Sequence, residues 1–181
     1  LWDRAYADLL VDAVTEALDD AKIGTDRIQA AWVGTYLPGA HGGNAGVSLA
    51  DPLRLYGIPI TRVENFCATG TEAFRAAARA VASGVYDGVL VAGAEKLKDR
   101  PGRGLPRTGQ HPLIGHGTTA PGLFALAATR YMHKFGLGRE TLAKVAVKNH
   151  ANGAKNPRAH IQSEVTLDQL LKAPIIAWPF G

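Results

Sequence analysis

Apolar residues recur at helical spacing along the first segment: Trp2, Tyr6, Leu9, Leu10, Ala13, Ala17, Leu18 and Ala21, with Asp3, Arg4, Asp8, Asp12, Glu16 and Asp20 mostly opposite. The pattern predicts an amphipathic helix over 2–22, stopped near Gly24. The period then shortens. Residues 29–36, 61–65 and 87–94 read as strands; the last is a continuous apolar run, as in a strand buried on both faces. Between the second and third lies 72–82, apolar nearly all round through alanine and ended by Gly84. A helix with small residues on several faces is expected to be buried between layers. Strand, helix, strand over so short a span predicts a crossover joining parallel strands. Residues 45–56 read as a helix with Pro52 as a break or second start.

From Lys96 the periodicity lapses. Pro101, Pro106, Pro112 and Pro121, among many glycines, mark a long excursion. Helical spacing returns over 123–135, ended by Gly136, and over 139–152, where Leu142, Val145, Ala146 and His150 form the periodic face. A short helix follows Thr166, whose hydroxyl is placed to cap it. The 181 residues, 46% of them hydrophobic, suffice for one large domain or two small ones. Leu1 leads straight into a helix, and an apolar stretch over 173–181 has no closing element, so the chain reads as a fragment.

Charge and cysteine usage narrow the classes. No apolar run approaches the roughly 20 residues of a membrane span, and no signal peptide opens the chain. The net charge of +4 is modest. Its basic residues gather at Lys96, Lys98, Arg100, Arg103 and Arg107, a patch suited to an acidic or phosphorylated ligand or simply to solvent. No interleaved aromatics or nucleic-acid motif accompany it, so nucleic acid is not expected. Gly39, Gly42 and Gly43 lack the lysine and spacing of a phosphate cradle and read as a turn. No histidine pair stands at helical i, i+4 spacing, so no metal is expected. His111, His116, His133, His150 and His160 read as surface or loop-bracing residues. Trp2, Trp32 and Trp178 read as core or interface.

Cys67 is the only cysteine, which excludes an internal disulfide and cysteine-rich zinc sites and suits a reducing, cytoplasmic setting. It falls between a strand and a helix. There a thiol lies near unpaired backbone N–H groups and the positive end of the helix dipole, both favouring the nucleophilic thiolate. A buried structural cysteine is the alternative that composition leaves open.

The turn Asn65-Phe66-Cys67-Ala68-Thr69-Gly70 resembles the nucleophile turn of the thiolase superfamily. The strand over 88–96 resembles the one that follows it there, and 121–132 resembles the start of that family's loop domain. Lys148-Asn149-His150, Asn156-Pro157-Arg158-Ala159-His160 and the closing 173–179 resemble the sterol-carrier-type branch. The resemblance runs in order through nearly the whole chain. It implies an α/β fold of the layered αβαβα thiolase type, with an N-terminal half over 1–95 lacking its first strand. Residues 96–181 would hold the loop domain and the start of the return segment, and the second half is absent from this chain.

The resemblance also implies chemistry. Cys67 would be the catalytic nucleophile of an acyl-CoA C-acyltransferase, forming an acyl-enzyme from a 3-ketoacyl-CoA or running the reverse Claisen condensation. Its own N–H would serve one of the family's oxyanion holes. CoA is a co-substrate, and no other cofactor is implied. The activating histidine, a second cysteine and further Asn and His groups would come from the C-terminal half. Phe66 stands where relatives often carry a small or polar residue; it would narrow the pocket or only pack. The implied partners are acyl-CoA and further copies of the chain, as a homodimer or tetramer. The alternatives are a lipid-transfer-type retro-aldolase on steroid acyl-CoA, paired with an OB-fold protein, and a non-catalytic thiolase-like subunit.

Overall fold

The computed structural model describes residues 3–36, 45–97, 112 and 119–181. The chain divides into two compact units, Leu1–Arg103 and Gly104–Gly181.

In the first unit, β1 (Ala30–Gly34), β2 (Ile60–Val63) and β3 (Val89–Gly93) form a parallel sheet in the order β2-β1-β3. The parallel direction is as expected, but β2 and β3 do not pair. The segment between them passes over β1, which takes the centre because it is apolar on both faces. Alternation divides the contacts of β1. Ala31 and Val33 join one core with Tyr6, Leu10 and Val14 of α1 (Tyr6–Ala21), Leu49 of α2 (Val47–Leu53), and Leu90 and Ala92 of β3. Gly34, one residue on, meets Thr69 and Ala73 of α3 (Thr69–Ala82). The sheet is thus layered between helices.

Three local expectations change. The buried stripe of α1 runs Tyr6, Leu10, Val14, an i, i+4 row that includes Val14 and leaves Ala13 and Ala17 exposed. The helix ends at Lys22 rather than Gly24: Lys22 takes the left-handed conformation at φ 57°, and its N–H bonds back to Asp19. Pro52 neither breaks nor starts α2 but lies inside its last turn. The alanine-rich α3 buries one face only, Thr69, Ala73 and Ala77, and leaves Phe74 67% and Val81 39% exposed. Its outer face is therefore not sandwiched among the described residues.

The second unit holds α4 (Ala120–Phe135), α5 (Arg139–Ala154) and α6 (Leu167–Lys172). Thr119 caps α4 by accepting the Gly122 N–H at 3.2 Å, and Gly136, at φ 64°, closes it. Thr166 and Gln169 form a capping box at α6. Arg139 ties the closing segment to α5. Its guanidinium donates to the carbonyls of Pro179 at 3.0 Å and Leu171 at 3.3 Å, and lies 5.3 Å from the centre of the Trp178 ring. Trp178 remains 57% exposed, contrary to a core position. A groove of about 320 Å³ runs beside this bracing, lined by Leu142, Val145, Ala146, Leu170 and Phe180. Among the described residues, no helix is long and apolar enough to cross a membrane.

Candidate active site around Cys67

Cys67 is exposed, which removes the buried-cysteine alternative. It lies in a single 3₁₀ turn, Phe66–Ala68, entered two residues after β2 and running directly into α3. The thiol thus stands at the carboxyl edge of a parallel sheet, where α/β folds open their ligand crevices, and next to the amino end of a 14-residue helix.

The turn accounts for its polar groups almost completely. The Phe66 N–H donates to Glu64 Oε1 at 2.7 Å, and the Ala68 N–H donates to the Asn65 carbonyl at 2.9 Å. The Asn65 N–H donates to Thr69 Oγ1 at 2.8 Å; that hydroxyl donates to the Phe66 carbonyl at 2.6 Å. The Thr69 N–H reaches the same carbonyl. None of these bonds uses the N–H of Cys67. Phe66 adopts φ 46°, a left-handed conformation that costs a side-chain-bearing residue about 1–2 kcal/mol. Its ring packs against Tyr36, with centroids 5.2 Å apart. A Cβ on Gly70 would meet nothing within 4 Å, so the start of α3 is open on that side.

The neighbouring strand ends are tied together by Glu95. The buried Thr35 hydroxyl donates to Glu95 Oε1 at 3.2 Å, and the Tyr36 N–H donates to the same oxygen. Arg62, from β2, donates to the Thr35 carbonyl at 2.8 Å. The ends of β1, β2 and β3 are so bound into one platform under the turn. Sequence reading missed this brace. The signal was an acidic residue two positions past β3, level in the sheet register with Tyr36, two past β1.

One charged pair stands at the start of α3. Glu72, in the first turn of α3, accepts from Arg75 Nε at 2.8 Å and from a second guanidinium nitrogen. The hydrogen bond to Arg75 is the main reason that the Glu72 carboxyl titrates below its ordinary range, and Glu72 in turn raises Arg75. The pairing offsets a negative charge in the first turn of α3.

Against this geometry the comparisons with known proteins are specific. The family model described as Thiolase, N-terminal domain, matches residues 1–171. The chain belongs to the thiolase family. The acetyl-CoA acetyltransferase of Methanothermobacter thermautotrophicus is 37% identical over 184 residues, spanning 99% of this chain and 48% of that protein. The non-specific lipid-transfer protein-like 2 of Caenorhabditis elegans is 35% identical, spanning 95% of this chain and 44% of that one. Human sterol carrier protein 2 is 33% identical, spanning 93% and 32%. The Acat5 thiolase of Ascaris suum, solved in complex with coenzyme A, shares the fold at a TM-score of 0.62 and 20% identity, over 83% of this chain and 42% of that one. The chain thus spans about half the length, or less, of the curated relatives it matches. The α/β architecture with a parallel sheet is that of the amino-terminal portion of a thiolase.

The other candidate residues are not brought to this thiolase turn by any contact described. Lys96 donates to the backbone carbonyl of Arg4, bracing the base of α1. Lys98, Arg100, Arg103, Arg107, His111 and His116 lie outside the described residues, as do Trp2, Gly39, Gly42 and Gly43. His150 Nδ1 lies 3.1 Å from the Ser163 carbonyl and holds the loop after α5, and His133 and His160 are exposed. Trp32 is half-buried in β1, edge-on to Tyr86 at 6.4 Å.

Proposed function

We propose that this chain is the nucleophile-bearing part of a thiolase-type acyl-CoA C-acyltransferase, with Cys67 as the catalytic residue. The observation that carries it is an exposed thiol in a turn leading into α3, at the carboxyl edge of the sheet, in a chain that matches the family model. The thiolate attacks the keto carbon of a 3-ketoacyl-CoA. The bond between the alpha and keto carbons breaks, the departing acetyl-CoA carbanion takes a proton, and the acyl group stays on sulfur. The thiolate of a second CoA then attacks that thioester and frees Cys67. Sulfur suits both steps because it is a soft nucleophile and a good leaving group. The Cys67 N–H, which the turn's own hydrogen bonds leave out, is a ready donor to the oxyanion. The acid, base and second cysteine of the cycle would come from the thiolase half that these residues do not include.

CoA enters this reading as substrate, with no further cofactor. A cytoplasmic, reducing setting would keep the lone thiol available. Assembly as a homodimer or tetramer is supported by β2, which is an edge of the described sheet with partly exposed residues. The similarity to sterol carrier protein 2 and to the lipid-transfer protein-like relative favours, as a second reading, retro-aldol cleavage of a steroid acyl-CoA beside an OB-fold partner.

Intact-mass analysis after incubation with acetyl-CoA tests the first reading. An adduct of acetyl mass on Cys67, absent in Cys67→Ser, is the expected outcome. A folded wild-type protein that carries this chain together with its complementary thiolase half and takes no acyl group refutes it. Release of ketone or aldehyde from a hydroxylated steroid acyl-CoA without such an adduct favours the second.

A further inference from the structure

The geometry assigns Thr69 as the residue that positions the Cys67 nucleophile, an inference that rests on the acyl-transfer reading for its consequence but not for its test. Thr69 is one of two buried polar residues among those described, at 7% exposure, and its hydroxyl is used twice. It accepts the Asn65 N–H at 2.8 Å and donates to the Phe66 carbonyl at 2.6 Å. These two bonds clasp the peptides on the amino side of Cys67 from a residue on its carboxyl side. The thiol-bearing residue is thereby held inside a closed loop of five residues.

The loop needs such a clasp. Phe66 sits in a left-handed conformation that a phenylalanine does not favour, so the turn would relax without an outside hold. The hold has a fixed base. The Thr69 methyl faces the end of β1, where a Cβ on Gly34 would stand 3.2 Å from Thr69 Cγ2 and 3.5 Å from the Thr69 carbonyl. Gly34 lets the start of α3 settle onto the strand, and the settled Thr69 fixes the turn above it. Position 69 thus separates two roles: the methyl packs on the sheet, and the hydroxyl orders the cysteine turn. With Asn65 and Phe66 held, the Cys67 side chain and its own N–H keep a constant relation. A nucleophile and its oxyanion donor require this.

Thr69→Val keeps the shape and removes both hydrogen bonds; Thr69→Ser keeps the hydroxyl and removes the methyl. The rates of Cys67 alkylation by iodoacetamide and of acylation by acetyl-CoA are measured for wild type and both variants, with thermal melting as the check on folding. Thr69→Val is expected to lose on the order of tenfold or more in alkylation, and in acylation with it, while Thr69→Ser recovers most of both rates despite its greater loss of packing. Equal rates in Thr69→Val and wild type, or a loss in Thr69→Ser as deep as that in Thr69→Val, overturn the assignment. If Thr69→Val does not fold, amide hydrogen exchange in the wild type decides: the Asn65 amide is expected to be protected, and exchange at the free-peptide rate refutes the clasp. A wild type that alkylates with this pattern but takes no acetyl group even with the complementary thiolase half present leaves Thr69 in its role and removes acyl transfer instead.

Discussion

Gly34 shows how one hydrogen in place of a side chain shapes the candidate site. Its φ is not what favours glycine; the start of α3 does, because Thr69 Cγ2 would stand 3.2 Å from an added Cβ. An alanine there would have to push back the Thr69 methyl by a few tenths of an ångström, with the buried Ala73 Cβ 3.6 Å from the added atom. We expect Gly34→Ala to destabilise the fold by about 1–3 kcal/mol, read from urea unfolding. Cys67 alkylation should change in the same variant, although residue 34 is far from it in sequence. Unchanged stability together with unchanged alkylation would show that the strand and helix have slack at this point.

At the scale of elements, α3 combines a packed face with a charged clasp at its start. The folded Glu72 carboxyl is lowered chiefly by Arg75, so its contribution is present above the ordinary value of 4.5 and is lost as pH falls through the lowered folded value. Arg75 is exposed and Glu72 partly so, and the effect is small and screened by salt. The melting temperature of wild type should exceed that of Glu72→Gln near neutral pH, and the gap should close in acid. A gap that persists or widens at low pH contradicts this assignment of the charge. Elements of this kind were largely legible in the sequence. Helical period, Gly136 and Thr166 located α4, α5 and α6; an apolar run located β3, and strand-like stretches at 29–36 and 61–65 located β1 and β2. What period could not show was where α3 begins. The 72–82 pattern misses its first turn because Thr69 and Gly70 are poor helix formers on their own. They are helical because Thr69 bonds back across the turn and packs on Gly34, a contact between residues 35 positions apart. The Glu95 brace was hidden for the same reason. It depends on strand register, which no local pattern carries.

For the whole molecule, only the α1–α2–sheet core of the first unit has fully buried large side chains among the described residues: Leu10, Leu49 and Val33 have no exposed surface. Leu10→Ala should therefore cost about 2–5 kcal/mol in chemical denaturation, more than any single change on the exposed face of α3. A loss below about 1 kcal/mol would mean that the core can collapse around the cavity. The order β2-β1-β3 was beyond sequence reading because consecutive strands are usually neighbours; here the chain places its first strand between the other two.

The lone thiol on an open turn carries a practical consequence for anyone handling this polypeptide. Having no second thiol to meet within these 181 residues, Cys67 of this chain on oxidation in air would join a foreign thiol or its counterpart in another copy. A band of doubled mass on a gel run without reductant would then report that the exposed thiol had been consumed, and dithiothreitol should collapse the band and return its alkylation together.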